Sequence, residues 1–175
     1  MKKIKGFSII TILSALLSII CLFCACGDGS TLTYSEYKYE VNGEIIAEGY
    51  SVKAANTNIS GEIEIPSTYK GKPVIAIANN GFNKCTKITT LTIPEGVVYI
   101  GTDACQCANA TVNLPSTIKA IMCSASQTNT PPKIINYNGS YADWKEIRMP
   151  IACYSNKTIV HLTNGDIINN IFTAM

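Results

Sequence analysis

The sequence predicts a mainly β fold: a short β solenoid of three to four rungs, with an N-terminal β-hairpin cap and a C-terminal helix and hairpin cap. Three observations predict it. Apolar columns recur at spacings of 23 and 21 residues, short alternating strands stopped by proline precede those columns, and Asn-Gly turns flank the repeating region. A period of this length is too short for a helical hairpin repeat, and period-two apolar pairs ask for one strand on each coil.

At 47% hydrophobic and 15% charged over 175 residues, the chain can bury a core and is not a disordered polyampholyte. Lys2, Lys3 and Lys5 stand ahead of a charge-free stretch from Gly6 to Gly27, and no acid precedes Asp28. Without those three lysines, 11 of the 14 basic residues remain against 12 acids, so the body of the chain is near neutral. No basic stripe remains to neutralise phosphates, which argues against nucleic acid as a partner. The single His161 excludes any site that needs two imidazoles.

The basic start and the run from Ile9 to Ala25 form the n-region and h-region of an export signal. At its end, Leu22-Phe23-Cys24-Ala25-Cys26-Gly27 resembles the lipobox of bacterial lipoproteins, with Ala25 as the small residue before the cysteine. Phe23 stands where that pattern usually has Leu, and Leu22 is one position out. The resemblance implies residues 1–25 as signal peptide, Cys26 as the lipid attachment site and mature N-terminus, and 26–33 as a polar tether. The alternative is an uncleaved membrane helix, since about 20 apolar residues span a bilayer. Both readings export the body and hold it at a membrane.

Residues 34–58 read as the N-terminal cap. Tyr37, Tyr39 and Val41 alternate with polar residues, Asn42-Gly43 is a two-residue hairpin turn, and Glu44-Ile45-Ile46-Ala47 returns. The repeats cover 59–137. Val74, Val97 and Ile118 form one column, Ile77, Ile100 and Ile121 a second, and Gly81, Ala104 and Ala125 a third in which a small residue lets coils approach. Strands precede each: Ile63-Glu64-Ile65-Pro66, Leu91-Thr92-Ile93-Pro94 and Val112-Asn113-Leu114-Pro115, with Ile135-Asn136-Tyr137 as a fourth. Residues 138–175 form the C-terminal cap: a short helix over Ser140 to Ile147, whose Trp144 and Ile147 cover the open end, and a hairpin around Asn164-Gly165.

These residues also carry a family likeness. Ile65-Pro66-Ser67-Thr68-Tyr69-Lys70-Gly71-Lys72-Pro73-Val74 and Gly81-Phe82-Asn83-Lys84-Cys85, continuing to Ile93-Pro94, resemble the BspA-type leucine-rich repeat of bacterial surface proteins. Tyr137 to Trp144 and Val160 to Asp166 are similar to the unit that often follows such repeats, and Tyr34 to Val52 to the hairpin that precedes them. The chain departs from the pattern where Cys105 replaces a Phe, and where the third coil dissolves after Ala125 into Gln127-Thr128-Asn129-Thr130-Pro131-Pro132. The resemblance implies a leucine-rich repeat on an exported protein, with adhesion or recognition as the role of some members.

Cys85, Cys105, Cys107, Cys123 and Cys153 lie in the body; five is odd, so they cannot all pair with one another. The one-residue gap between Cys105 and Cys107 misses zinc-site spacing, and the five are expected to be small buried hydrophobes with no metal or cofactor. Catalytic motifs are lacking: no glycine-rich phosphate loop and no nucleophile elbow. Cys153 with His161, oriented by Asp166, is the one arrangement that would support an enzyme, and a packed Cys and surface His is the preferred reading.

A binding role rests on alternation, which turns two columns outward: Glu62, Thr90, Thr111 and Ile134, and Glu64, Thr92, Asn113 and Asn136. Of these, Glu64, Thr92, Asn113, Asn136, Thr90 and Thr111 form the candidate partner-binding face. The expected function is non-catalytic: a cell-surface lipoprotein that binds a protein or glycan ligand or mediates adhesion. The alternatives are a passive envelope protein whose threonines simply suit strands, and a lipoprotein enzyme.

Overall fold

The computed structural model describes residues 31–124, 131–149, 154–155 and 157–175. The expected signal segment, Cys26, Ala125 and Cys153 lie outside these residues. The described chain is a β solenoid of about four turns, built from two sheets that face each other across one core.

The N-terminal hairpin is β1 (Leu32–Val41) and β2 (Glu44–Ala54), joined at Asn42 and Gly43. Both turn residues have positive φ, 53° and 82°, the geometry that matches strand twist in a two-residue hairpin. Next come β3 (Ser60–Glu64), β4 (Thr68–Tyr69), β5 (Lys72–Ile77), β6 (Lys87–Thr92) and β7 (Tyr99–Ile100). They are followed by β8 (Thr111–Leu114), β9 (Ala120–Ile121), β10 (Ile134–Tyr137), α1 (Tyr141–Glu146), β11 (Ile159–Leu162), β12 (Gly165–Ile168) and β13 (Ile171–Ala174).

Each of the first three coils sends one strand to each sheet. The seven-stranded sheet runs β3-β6-β8-β10-β11-β12-β13, and the six-stranded sheet runs β1-β2-β5-β7-β9 with β4 beside β5. Pairing between coils is parallel, with Leu91 beside Val112 and Ile77 beside Ile100. The fourth coil meets the six-stranded sheet through one residue, Arg148, bridged to Ala120. Its N–H donates to the Lys119 carbonyl at 2.9 Å, and its carbonyl accepts from the Ile121 N–H at 3.1 Å.

Most of the expected column residues form the core, with Ile63 and Ile121 half-buried against it. Val74, Val97, Ile77, Ile100, Ile65, Leu91 and Val112 are all buried, and Phe82 with Cys85 fills the turn between the sheets. Asn80 and Asp103, 23 residues apart, both take φ near +55°, so the same left-handed corner recurs in successive coils. The corners are tied by main-chain bonds such as Phe82 N–H to the Ala104 carbonyl at 2.7 Å. After the strand-stopping prolines, Glu95 accepts from the Ser116 N–H at 3.1 Å and from Asn138 Nδ2 at 3.0 Å, linking three coils.

The caps form where the sequence places them. Ser140 and Asp143 make a reciprocal capping box at the start of α1. Trp144 and Ile147 are buried, and Trp144 sits edge-on to Tyr137 at 5.3 Å. The C-terminal hairpin turns at Thr163 and Asn164, Gly165 already pairs with Leu162, and a further strand, β13, follows.

The N-terminal hairpin does more than close an end. Pairing of β2 with β5 extends the six-stranded sheet, while the hairpin also lies over that sheet's outer face. Ile75, Ala76, Ala120 and Tyr39 are buried there, apart from the main core. The approach is close at Gly49, where a Cβ would stand 2.2 Å from the Pro73 carbonyl oxygen.

The expectation that all five body cysteines are buried hydrophobes needs correction. Cys85 and Cys107 are buried free thiols and Cys105 is a half-buried one, but Cys123 is disulfide-bonded. Packing alone does not distinguish a thiol from a half-cystine, because both present the same small apolar surface.

Candidate functional site

Alternation along the seven-stranded sheet turns Ile63, Leu91, Val112, Ile135 and Val160 toward the core and their neighbours outward. The register then lines up Glu64, Thr92, Asn113 and Asn136 across β3, β6, β8 and β10. The row does not stop there. Asn136 is beside His161, His161 opposite Asp166, and Asp166 opposite Thr173, so one polar row crosses all seven strands.

Its side chains bond to one another. Asn136 Nδ2 donates to Asn113 Oδ1 at 2.8 Å, and Asn113 Nδ2 donates to Thr92 Oγ1 at 3.0 Å. The directionality fixes both amides and presents the Asn136 carbonyl oxygen at the far end. Beyond it, His161 Nδ1 and Asp166 Oδ1 lie 2.8 Å apart. The carboxylate thus orients the imidazole, and the His161 side chain is 46% exposed.

The second outward row changes character along the sheet. Glu62, Thr90 and Thr111 are in register with Ile134 and Ile159. Continuing the β11–β12 register by one brings Ile168 beside Ile159, and Ile168 pairs with Ile171. Ile168 and Ile171 are 46% and 67% exposed. The face is therefore polar throughout one row and half polar, half aliphatic in the other.

All six sequence-predicted face residues come together on one surface: Glu64, Thr92, Asn113, Asn136, Thr90 and Thr111. His161, Asp166 and Thr173 were not part of that prediction. Their signal was present in the alternation of Ile159-Val160-His161-Leu162 and in the tight turn after it, which sets His161 across from Asp166. Cys153, the nucleophile considered with His161, lies outside the described residues.

Elsewhere, the thiols are held neutral. Burial, with Cys85 nearby, pushes Cys107 up to about 12, and its Sγ lies 3.4 Å from the Cys105 carbonyl oxygen. Among the described residues no group of three or more His, Cys, Asp or Glu is placed to hold a metal ion. A partly open pocket of about 40 Å³ lined by residues including Ile100, Trp144 and Met149 also includes buried Gln106, whose Oε1 has no hydrogen-bond partner among the described residues. Comparison of the chain with family models, curated proteins and solved structures finds no match.

Proposed function

We propose that this chain is a non-catalytic bacterial cell-surface lipoprotein of BspA leucine-rich-repeat type, held to the membrane through Cys26 and recognising a protein partner with the outer face of its seven-stranded sheet. The observation that carries the reading is the polar row from Glu64 to Thr173, in register on every strand. A rigid row of amides beside an exposed aliphatic strip offers hydrogen-bond register and apolar contact together, the combination found at recognition surfaces. The signal-like start and Ala25-Cys26 boundary support the anchored location.

The test displays the full chain on a cell surface and screens it against envelope and host extracellular proteins. Partner binding is expected to fall at least tenfold in the double variant Thr92→Arg, Asn113→Arg, which puts two bulky charges into the row. Circular dichroism of the variant is expected to match wild type, since neither side chain belongs to the core. A bound protein whose affinity is unchanged by the double variant would move recognition off this face. No bound protein at all would favour a passive envelope role.

A further inference from the structure

The outermost strand of a sheet has a free side, where unpaired N–H and C=O groups are open to another strand. Among the described residues the sheets end at β1 and β9, and at β3 and β13. Three of these edges are blunted. β1 carries Glu36, Lys38 and Glu40, with a register shift between Tyr39 and Glu40. β3 carries Glu62 and Glu64, and the left-handed Gly61 (φ 79°) stands at its own register shift. β9 is two residues long and already bridged by Arg148.

β13 has none of these devices. From Ile167 to Met175 there is neither a charge nor a proline, and β13 pairs with β12 without a register shift. Ile171 and Met175 are 67% and 86% exposed, the two most exposed large apolar side chains among the described residues. An uncharged, unbulged apolar edge of this kind is a template for pairing. Its free groups follow from the register. Met175 N–H donates to the Asn164 carbonyl at 3.2 Å, so alternation directs the main-chain groups of Met175, Thr173 and Ile171 toward β12. Those of Phe172 and Ala174 point to the free side. The side chains of Ile171 and Thr173 share the outer face with Ile168 and Asp166, whereas Phe172 stacks on Tyr141 with centroids 4.0 Å apart.

We propose that β13 pairs antiparallel with β13 of a second copy of this chain, across a two-fold axis at Thr173. A two-fold interface joins one patch to itself, so the edge must be its own complement. In this register Phe172 lies opposite the second copy's Ala174, and the reverse, so the free groups of each strand satisfy those of the other. Ile171 lies opposite Met175 in both directions, which withdraws both from water. Threonine meets threonine on the axis, a favourable cross-strand pair, and no charge faces a like charge. An axis one residue earlier, at Phe172, would set Ile171 against Thr173 and leave Met175 uncovered. The polar row ends at Thr173, so the two rows run into one another and the two seven-stranded sheets become one. The pairing stands on the edge alone and does not depend on what the face recognises.

The test uses the full chain in dodecylmaltoside. Sedimentation equilibrium is expected to give the protein mass of two chains. Ile171→Lys sets a charge against Met175, and Ala174→Pro removes an N–H from the free side and none from the β12 side. Each is expected to weaken dimerisation at least tenfold with an unchanged circular dichroism spectrum, since both residues are exposed. A second measurement does not depend on those variants. Thr173→Cys is expected to form an intermolecular disulfide on mild oxidation, because opposed residues of a non-hydrogen-bonded pair have Cα atoms about 4.5 Å apart. Ile168→Cys lies three strand spacings from its counterpart, about 14 Å, and is expected to cross-link no more than wild type. A monomer at submillimolar concentration, undiminished dimers in both edge variants, or Ile168→Cys cross-linking as well as Thr173→Cys would each overturn the proposal. So would a mass that climbs without limit with concentration, which marks β13 seated on β3 of the next copy. The Thr92→Arg, Asn113→Arg variant is expected to remain dimeric, so failure of recognition and failure of pairing are read separately.

Discussion

Glu95 illustrates how one side chain can join coils without entering the core. Partial burial raises its pKa, but hydrogen bonds from Asn138 and Ser116 outweigh this and hold it below the ordinary glutamate value. A folded pKa lowered in this way contributes stability above the unfolded pKa, and that contribution fades as pH falls through the folded value. The difference in melting temperature between wild type and Glu95→Gln is therefore expected to be largest near neutral pH and to shrink as the pH falls below the ordinary glutamate value of 4.5. A pH-independent difference in thermal melts would contradict this role. The thiols offer a second check. Cys107 is buried and its pKa is near 12, so iodoacetamide at pH 8 is expected to label it only after unfolding, because the thiolate is the reactive form. Mass spectrometry showing rapid native labelling would place it at the surface.

At the scale of the element, the strands are specified by alternation and the coils by column. Ile93 and Ile100 are 3% and 2% exposed and sit within the shared core. Truncation of either to Ala is expected to cost about 2–5 kcal/mol, lost contacts and a residual cavity both contributing. Unchanged denaturation midpoints for both would reject the columns. The hairpin is held differently, by close approach. At Gly49 any side chain meets the Pro73 carbonyl, so Gly49→Ala is expected to destabilise by about 1–3 kcal/mol through overpacking. Because displacement of the hairpin would also move Tyr37 away from Tyr99, quenching of tyrosine fluorescence by acrylamide is expected to increase.

For the whole molecule, the fold is two sheets closed around one core, with α1 and two hairpins at its margins. The parallel stacking pairs each coil with the next, and the Cys123 disulfide adds a covalent link. The location proposed above makes its own prediction: the mature protein begins at Cys26 and sediments with membranes. Mass spectrometry of the membrane fraction is expected to find a diacylated Cys26, and Cys26→Ser is expected to release the protein or leave Met1 in place. An intact Met1 on the wild-type protein would instead favour an uncleaved helix.

The solenoid was legible in the chain because stacking imposes a register. Ile77 and Ile100 must recur one coil apart for each to cover the next, and Asn42-Gly43 fixes a hairpin with no help from elsewhere. The outward row was legible for the same reason, since the residues between inward ones have nowhere else to point. What tertiary structure alone decided are contacts that no period encodes. Arg148 becomes a fourth rung at Ala120 because α1 returns the chain there. Tyr37 and Tyr39 reach Tyr99 because the hairpin folds over the sheet instead of only closing its edge. Alternating tyrosines satisfy either arrangement as sequence, and only the docked hairpin and the returning chain bring Tyr37, Tyr99 and Arg148 to the same face.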